Sequence, residues 1–155
     1  MKHAVLVATA LMLPNLLTAQ TAPNACQLLP TVEVERVTGE KSEFAPVPAE
    51  VGAACLWSNV KLYVYGDTAD QRIAAATKEF GLQKAKPVPV AGLGEKAMAF
   101  APQPAKGEDK LVYVLAKQGR YLVNVSVVVP AGKTADVAQG QAVELAKLVV
   151  AKLQQ

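Results

Sequence analysis

Few side chains in this chain titrate near neutrality, and that limits the chemistry it can do. The 155 residues contain one histidine, His3, and two cysteines, Cys26 and Cys55. His3 follows Lys2 and precedes an apolar run over residues 4–13, with Leu17-Thr18-Ala19 behind it. A basic start, an apolar centre and a small residue before the cut make a secretory signal peptide, so residues 1–19 read as a leader. Cleavage near Gln20 leaves a mature chain without imidazole. General acid–base work at neutral pH then falls to carboxylates or lysines whose pKa burial has moved. No paired, convergent set of these is visible, and no catalytic residue is assigned.

The short motifs have bland structural accounts. Ser58-Asn59-Val60-Lys61 fits S-x-x-K, in which a lysine activates a serine nucleophile. That chemistry opens a helix with the serine, whereas these residues lie in an expected turn between strands. They are the basis of the enzymatic alternative, a small secreted hydrolase using serine or carboxylate chemistry without histidine. Gly92-Leu93-Gly94 lacks the following helix that a phosphate cradle needs, and reads as a tight turn into a strand. Asn124-Val125-Ser126 matches a glycosylation acceptor but falls inside an expected strand. Glu33 and Glu35 are two apart on a helix and do not share a face. No D-x-D-x-D-G spacing supports calcium, and zinc lacks histidine or free thiols, so neither metal nor cofactor is expected.

Two cysteines in an exported chain imply one disulfide, Cys26–Cys55. The competing reading lipidates Cys26, but that requires a leucine where Pro23 stands. Removing nineteen residues of the 155 leaves 136, one domain's worth, with fifteen basic against thirteen acidic residues. The lysines are scattered singly, which gives no electrostatic footprint for nucleic acid. After the leader no apolar run approaches the roughly twenty residues of a membrane span. The organisation is therefore a leader over 1–19, an N-terminal segment over 20–27 and an α/β sandwich domain over 28–155.

The pattern predicts which elements hold these residues. Helices are expected over 31–38, from 69 to Gly81 behind a Thr68–Gln71 capping box, and over 135–153. Residues 44–48 read as a proline-rich connector. Strands are expected over 53–57, 61–65, 95–100, 111–116 and 121–129, the last two forming a hairpin around Gln118-Gly119. This order, α-β-β-α-β-β-β-α, predicts an α+β domain with an antiparallel sheet and helices packed on one face. Alternation gives the hairpin a valine face and a second face carrying Tyr113, Asn124 and Ser126. Tyr63 and Tyr65 lie opposite Leu62 and Val64 on their own strand. Tyr63, Tyr65, Tyr113, Asn124 and Ser126 are thus candidate binding residues, aromatic platforms with two directional groups. Alternatively a connector, 83–94 or 101–110, folds over them as a satellite core.

Cys26-Gln27-Leu28-Leu29, Glu33-Val34-Glu35, Gly39, a second cysteine before Trp57, and Gly92-Leu93-Gly94-Glu95-Lys96-Ala97 ahead of a hairpin carry a resemblance. The mature chain resembles a group of exported bacterial domains, many of them actinobacterial lipoproteins of unknown function, similar in fold to the PsbP-like α/β sandwich. It departs from them in having no additional cysteine for lipid attachment. The resemblance implies a fold and a periplasmic or extracellular location, and supplies no catalytic residues. The expectation is an exported, non-catalytic binding or scaffolding protein of the cell envelope, with an envelope protein or a small ligand as partner.

Overall fold

The computed structural model describes residues 23–49, 52–104 and 106–155. The leader, 1–19, and the start of the 20–27 segment lie outside the described residues. Four helices are described: α1 (Ala25–Leu28), α2 (Thr31–Thr38), α3 (Ala69–Leu82) and α4 (Ala135–Leu153). The strands are β1 (Phe44–Ala49), β2 (Gly52–Trp57), β3 (Val60–Gly66), β4 (Val88–Pro89), β5 (Lys96–Phe100), β6 (Leu111–Gln118) and β7 (Tyr121–Val128). They form one sheet ordered β1-β2-β3-β7-β6-β5-β4 in which every pairing is antiparallel. The chain is a single α+β domain, as its pattern of elements implies.

Period-two alternation decides where the main core lies. Val60, Leu62 and Val64 of β3, Val112 and Val114 of β6, and Val123, Val125 and Val127 of β7 are all fully buried on one face. Helix α4 closes over them, with Ala138, Ala142, Leu145 and Val149, spaced at the helical period, also fully buried. Each such valine or leucine is stabilised by about 1.5–3 kcal/mol on burial, against about 0–1 for an exposed ion pair. The valine face therefore dominates the energetics. Ala25, Leu29 and Val34 bring α1 and α2 onto the same face, and Trp57 Nε1 donates to Thr31 Oγ1 at 3.1 Å. Ala25 is thus part of the core, and Cys26 packs against it.

The structure departs from expectation in several places. Helices α1, α2 and α4 share one face, but α3 packs on the other, where Ala69 and Ile73 meet Phe100, Leu115 and Leu122. Leu115 and Leu122 make their strands apolar on both sides, which demands a cover on both. The proline-rich connector is the edge strand β1, paired through Pro46↔Cys55 and Pro48↔Ala53. Prolines two residues apart face the same way along a ladder, so both missing N–H groups can fall on the open edge. The hairpin turn is Gly119-Arg120, not Gln118-Gly119, because Gln118 pairs with Tyr121. Gly119 takes a positive φ of 56°, as the first position of a type II′ turn requires. Each residue keeps its expected face, since the register moves by two. The Thr68 capping box does not form; the Thr68 hydroxyl accepts from Arg72 Nε instead.

Cys26 and Cys55 are bonded, with Cα atoms 5.2 Å apart across a separation of 29 residues, so the Cys26 sulfur is not free for lipid. The bridge ties α1 to β2. In the chain-entropy treatment, closing this loop contributes about 3–4 kcal/mol. Urea unfolding of a Cys26→Ala/Cys55→Ala variant should show a loss of that size, and an unchanged midpoint would refute the bridge's role. Gly94 gives a second test. It has φ +61°, and a Cβ there would overlap the Lys117 carbonyl oxygen, whereas a Cβ on Gly92 (φ +69°) meets nothing within 4 Å. Gly94→Ala should cost more than about 2 kcal/mol and Gly92→Ala about 1, both through left-handed strain and only the first through backbone displacement. Equal costs in denaturant melts would contradict the close approach of β5 to β6.

Candidate functional site

The expected site residues share the outer face of the sheet, opposite α4. Tyr63 is registered against Asn124, and Tyr113 against Ser126. Tyr63 and Tyr65 stack with ring centres 6.0 Å apart, the spacing of i, i+2 side chains on one strand. Both rings are half-buried. Tyr113 is also half-buried, but its ring lies 4.8 Å from that of Phe80 on α3. Ser126 is only 3 % exposed. The outer face therefore divides. Tyr65 and Tyr113 both pack against a small second core under α3, while Tyr63 and Asn124 lie toward its margin. Phe80 of α3 contributes to the cover of that core.

That margin holds a cleft of about 200 Å³ between α3 and the sheet. Tyr65, Leu115, Leu122 and Asn124 line it from the strands, and Arg72, Glu79 and Phe80 from α3. Arg72 sits over the Tyr65 ring at 3.8 Å from its centre, held by its Nε bond to Thr68 at 3.1 Å. Such a cation–π contact is worth about 0.5–1 kcal/mol where solvent reaches it. Asn124 Oδ1 is buried and accepts no hydrogen bond. A buried acceptor left unmet costs about 1–3 kcal/mol, and nearly all such atoms in folded proteins are satisfied.

A second recess, of about 340 Å³, lies where the hairpin turn meets the start of α3. Lys117 Nζ donates to Asp70 Oδ2 at 2.7 Å, and Arg120 is paired with Asp67. The Gly119 N–H donates to Glu95 Oε1 at 2.9 Å, and the Asp67 N–H to the Arg120 carbonyl at 3.0 Å. Its charges are used in holding the turn, and it is read as structural. Ser58 and Lys61 are both exposed, on a bend and on β3, so no helix brings the hydroxyl beside the amine. Among the described residues no group of histidine, cysteine and carboxylate could hold a metal, and no helix is long and apolar enough to cross a membrane.

Arg72, Glu79, Leu115 and Leu122 were not among the expected site residues. The stripe of α3 through Ile73, Ala76 and Phe80 follows the helical period, but periodicity does not say which face of the sheet it meets. The available signal was the outer face itself, where Met98, Phe100, Leu115 and Leu122 are too apolar for a solvated surface. In comparisons with protein-family models, curated proteins and solved structures, nothing matches the chain.

Burial raises the Tyr65 and Tyr113 hydroxyl pKa above the ordinary 10.0; Arg72 opposes this at Tyr65, and Glu79 and Glu108 reinforce it at Tyr113. Between the ordinary and the raised value the unfolded chain gives up protons that the folded chain keeps. This contribution to stability is complete below pH 10 and is lost as pH climbs through the raised values. Tyrosinate absorbance should therefore show a delayed component that Tyr65→Phe and Tyr113→Phe each reduce. Titration of the folded protein without any such component would contradict the burial of both hydroxyls.

Proposed function

We propose that this is an exported, non-catalytic binding component of the bacterial cell envelope that meets its partner through the outer sheet face. The observation that carries the reading is the cleft beside α3, floored by Tyr65, Leu115, Leu122 and Asn124 and walled by Arg72, Glu79 and Phe80. Tyr65 lines the cleft, and Tyr63, stacked on it, extends the surface beyond as a half-buried ring. Pockets that recognise small ligands have this composition, apolar walls and a few placed polar groups. Export is supported by the leader-like pattern over residues 1–19 and by the Cys26–Cys55 bridge, which an oxidising compartment preserves. A binding role is also supported by the confinement of histidine to position 3 and of both sulfurs to the disulfide. The partner is an envelope protein or a small ligand.

The test uses isotope-labelled protein from a periplasmic preparation, titrated with small aromatic, aliphatic and saccharide fragments. Amide shifts are expected to concentrate on Tyr63, Tyr65, Asn124 and the 72–80 stretch of α3. The same preparation should turn over none of a panel of esters, peptides and glycosides. Turnover that disappears in Ser58→Ala or Lys61→Ala would overturn the binding reading in favour of a hydrolase.

A further inference from the structure

The two faces of the sheet are closed to different depths. On the inner face α4 is packed along its length, with Ala138, Ala142, Leu145 and Val149 fully buried. Of the described α3 side chains only Ala69 and Ile73 are buried, both in the first half of its fourteen residues. Its second half meets the sheet through the half-buried Phe80, whose ring lies 4.8 Å from those of Phe100 and Tyr113. Two further ties lie near the surface: Lys117 donates to Asp70, whose side chain is 74 % exposed, and Arg72 sits over Tyr65. Elements with few buried apolar side chains are those that open without unfolding the rest of a domain. The ends of α3 point the same way. Among the described residues the non-glycine residues with left-handed backbone are Asp67 (φ 59°) and Lys84 (φ 58°), one on each side of the helix. Lys84 closes the C-terminal end, where its N–H donates to the Gly81 carbonyl at 3.1 Å and the Ala85 N–H to the Phe80 carbonyl at 2.9 Å. That helix stop usually falls to glycine, and a lysine there carries strain that glycine would not. Such strain persists only while its surroundings impose it.

We infer that α3 is a lid on the outer sheet face, lifting as one unit on Asp67 and Lys84 while α4 and the inner face stay folded. The closed lid packs Ala69 and Ile73 against Phe100, Leu115 and Leu122. The lifted lid leaves those three beside Tyr65 and Tyr113 on an open, largely apolar sheet. Lifting relaxes both left-handed residues and parts Asp70 from Lys117, a pair that solvent already screens. What holds the lid shut is therefore the burial of Ile73 and Phe80. A helix of fourteen residues is marginal on its own in water, so the lifted segment loses its hydrogen bonds and exchanges its amide protons. This goes beyond the binding reading above and stands or falls without it.

Hydrogen exchange of the intact protein in low concentrations of urea provides the test. Amides over 73–81 should exchange about a hundredfold or more faster than those in β7 and the middle of α4. Their rates should share one opening equilibrium with a shallow urea dependence, because lifting exposes only part of the surface that unfolding exposes. Val149→Ala opens a cavity on the inner face that is present whether the lid is closed or lifted. It should therefore speed exchange in β7 and α4 by about tenfold or more and leave α3 unchanged. Lys84→Gly relieves the closed lid and should slow exchange across α3 by about two- to tenfold. A single steep urea dependence shared by α3, β7 and α4, or equal acceleration of all three in Val149→Ala, would mean that α3 leaves only with the whole domain. Either result would overturn the lid, and the urea slopes of the unaltered protein decide alone should Val149→Ala not fold. Protection graded from the helix ends toward its centre would mean fraying and would overturn it too. Unchanged α3 exchange in Lys84→Gly would overturn the hinge at that residue.

Discussion

A β-strand presents alternate residues to opposite faces, and β3, β6 and β7 use that rule to commit one face completely. Once Val60, Leu62, Val64, Val112, Val114, Val123, Val125 and Val127 are fully buried against α4, the opposite parity is fixed for every neighbour. Tyr63, Tyr65, Tyr113, Leu115, Leu122 and Asn124 share the outer face for that reason and no other. The nineteen residues of α4 suffice to cover the inner face with help from α1 and α2. The fourteen of α3 cover only part of the outer one. The cleft exists because the second cover is shorter than the sheet it lies on.

The position of α3 is set from its beginning rather than along its length. Two ion pairs, Asp67 with Arg120 and Asp70 with Lys117, tie the first turn of the helix to the hairpin. Their carboxylates are mostly exposed, so each pair is worth little on its own and is screened by salt. What they provide is direction. The apolar residues Ala69, Ile73, Ala76 and Phe80 then follow the helical period across Leu122, Leu115 and Phe100. Gly94, drawn close to the Lys117 carbonyl, brings β5 alongside and puts Phe100 where Phe80 packs on it at 4.8 Å. Arg72 falls one turn after Thr68 and is thereby set over Tyr65.

Much of this was readable from residue types, and the failures have physical causes. The disulfide, the valine face and the α4 stripe followed from cysteine parity and from periods of two and 3.6, which tertiary packing reinforces. The side of the sheet taken by α3 did not follow, because periodicity identifies a buried stripe but not what buries it. The hairpin turn was misplaced by one residue since Gln118-Gly119 and Gly119-Arg120 both offer the glycine a tight turn needs; the choice is settled by Glu95 and Asp67, which bind the turn from two other strands' ends. Thr68 was a sound capping candidate by type, but the guanidinium of Arg72 takes its oxygen. Of the candidate site, the shared face of the tyrosines and Asn124 was legible. The division of that face into a covered and an open part was not, because it depends on where α3 stops.

The two faces also differ in what they can tolerate. Truncating a buried valine or leucine on the inner face leaves a cavity and costs about 2–5 kcal/mol, a large part of what a domain of this size has in reserve. Residues there are held by the fold. On the outer face, Tyr63 and Tyr65 are half-buried and Asn124 Oδ1 is buried without a hydrogen-bond partner. The inner face accounts for why the chain folds, and the outer face, covered only in part by α3, is less constrained by packing.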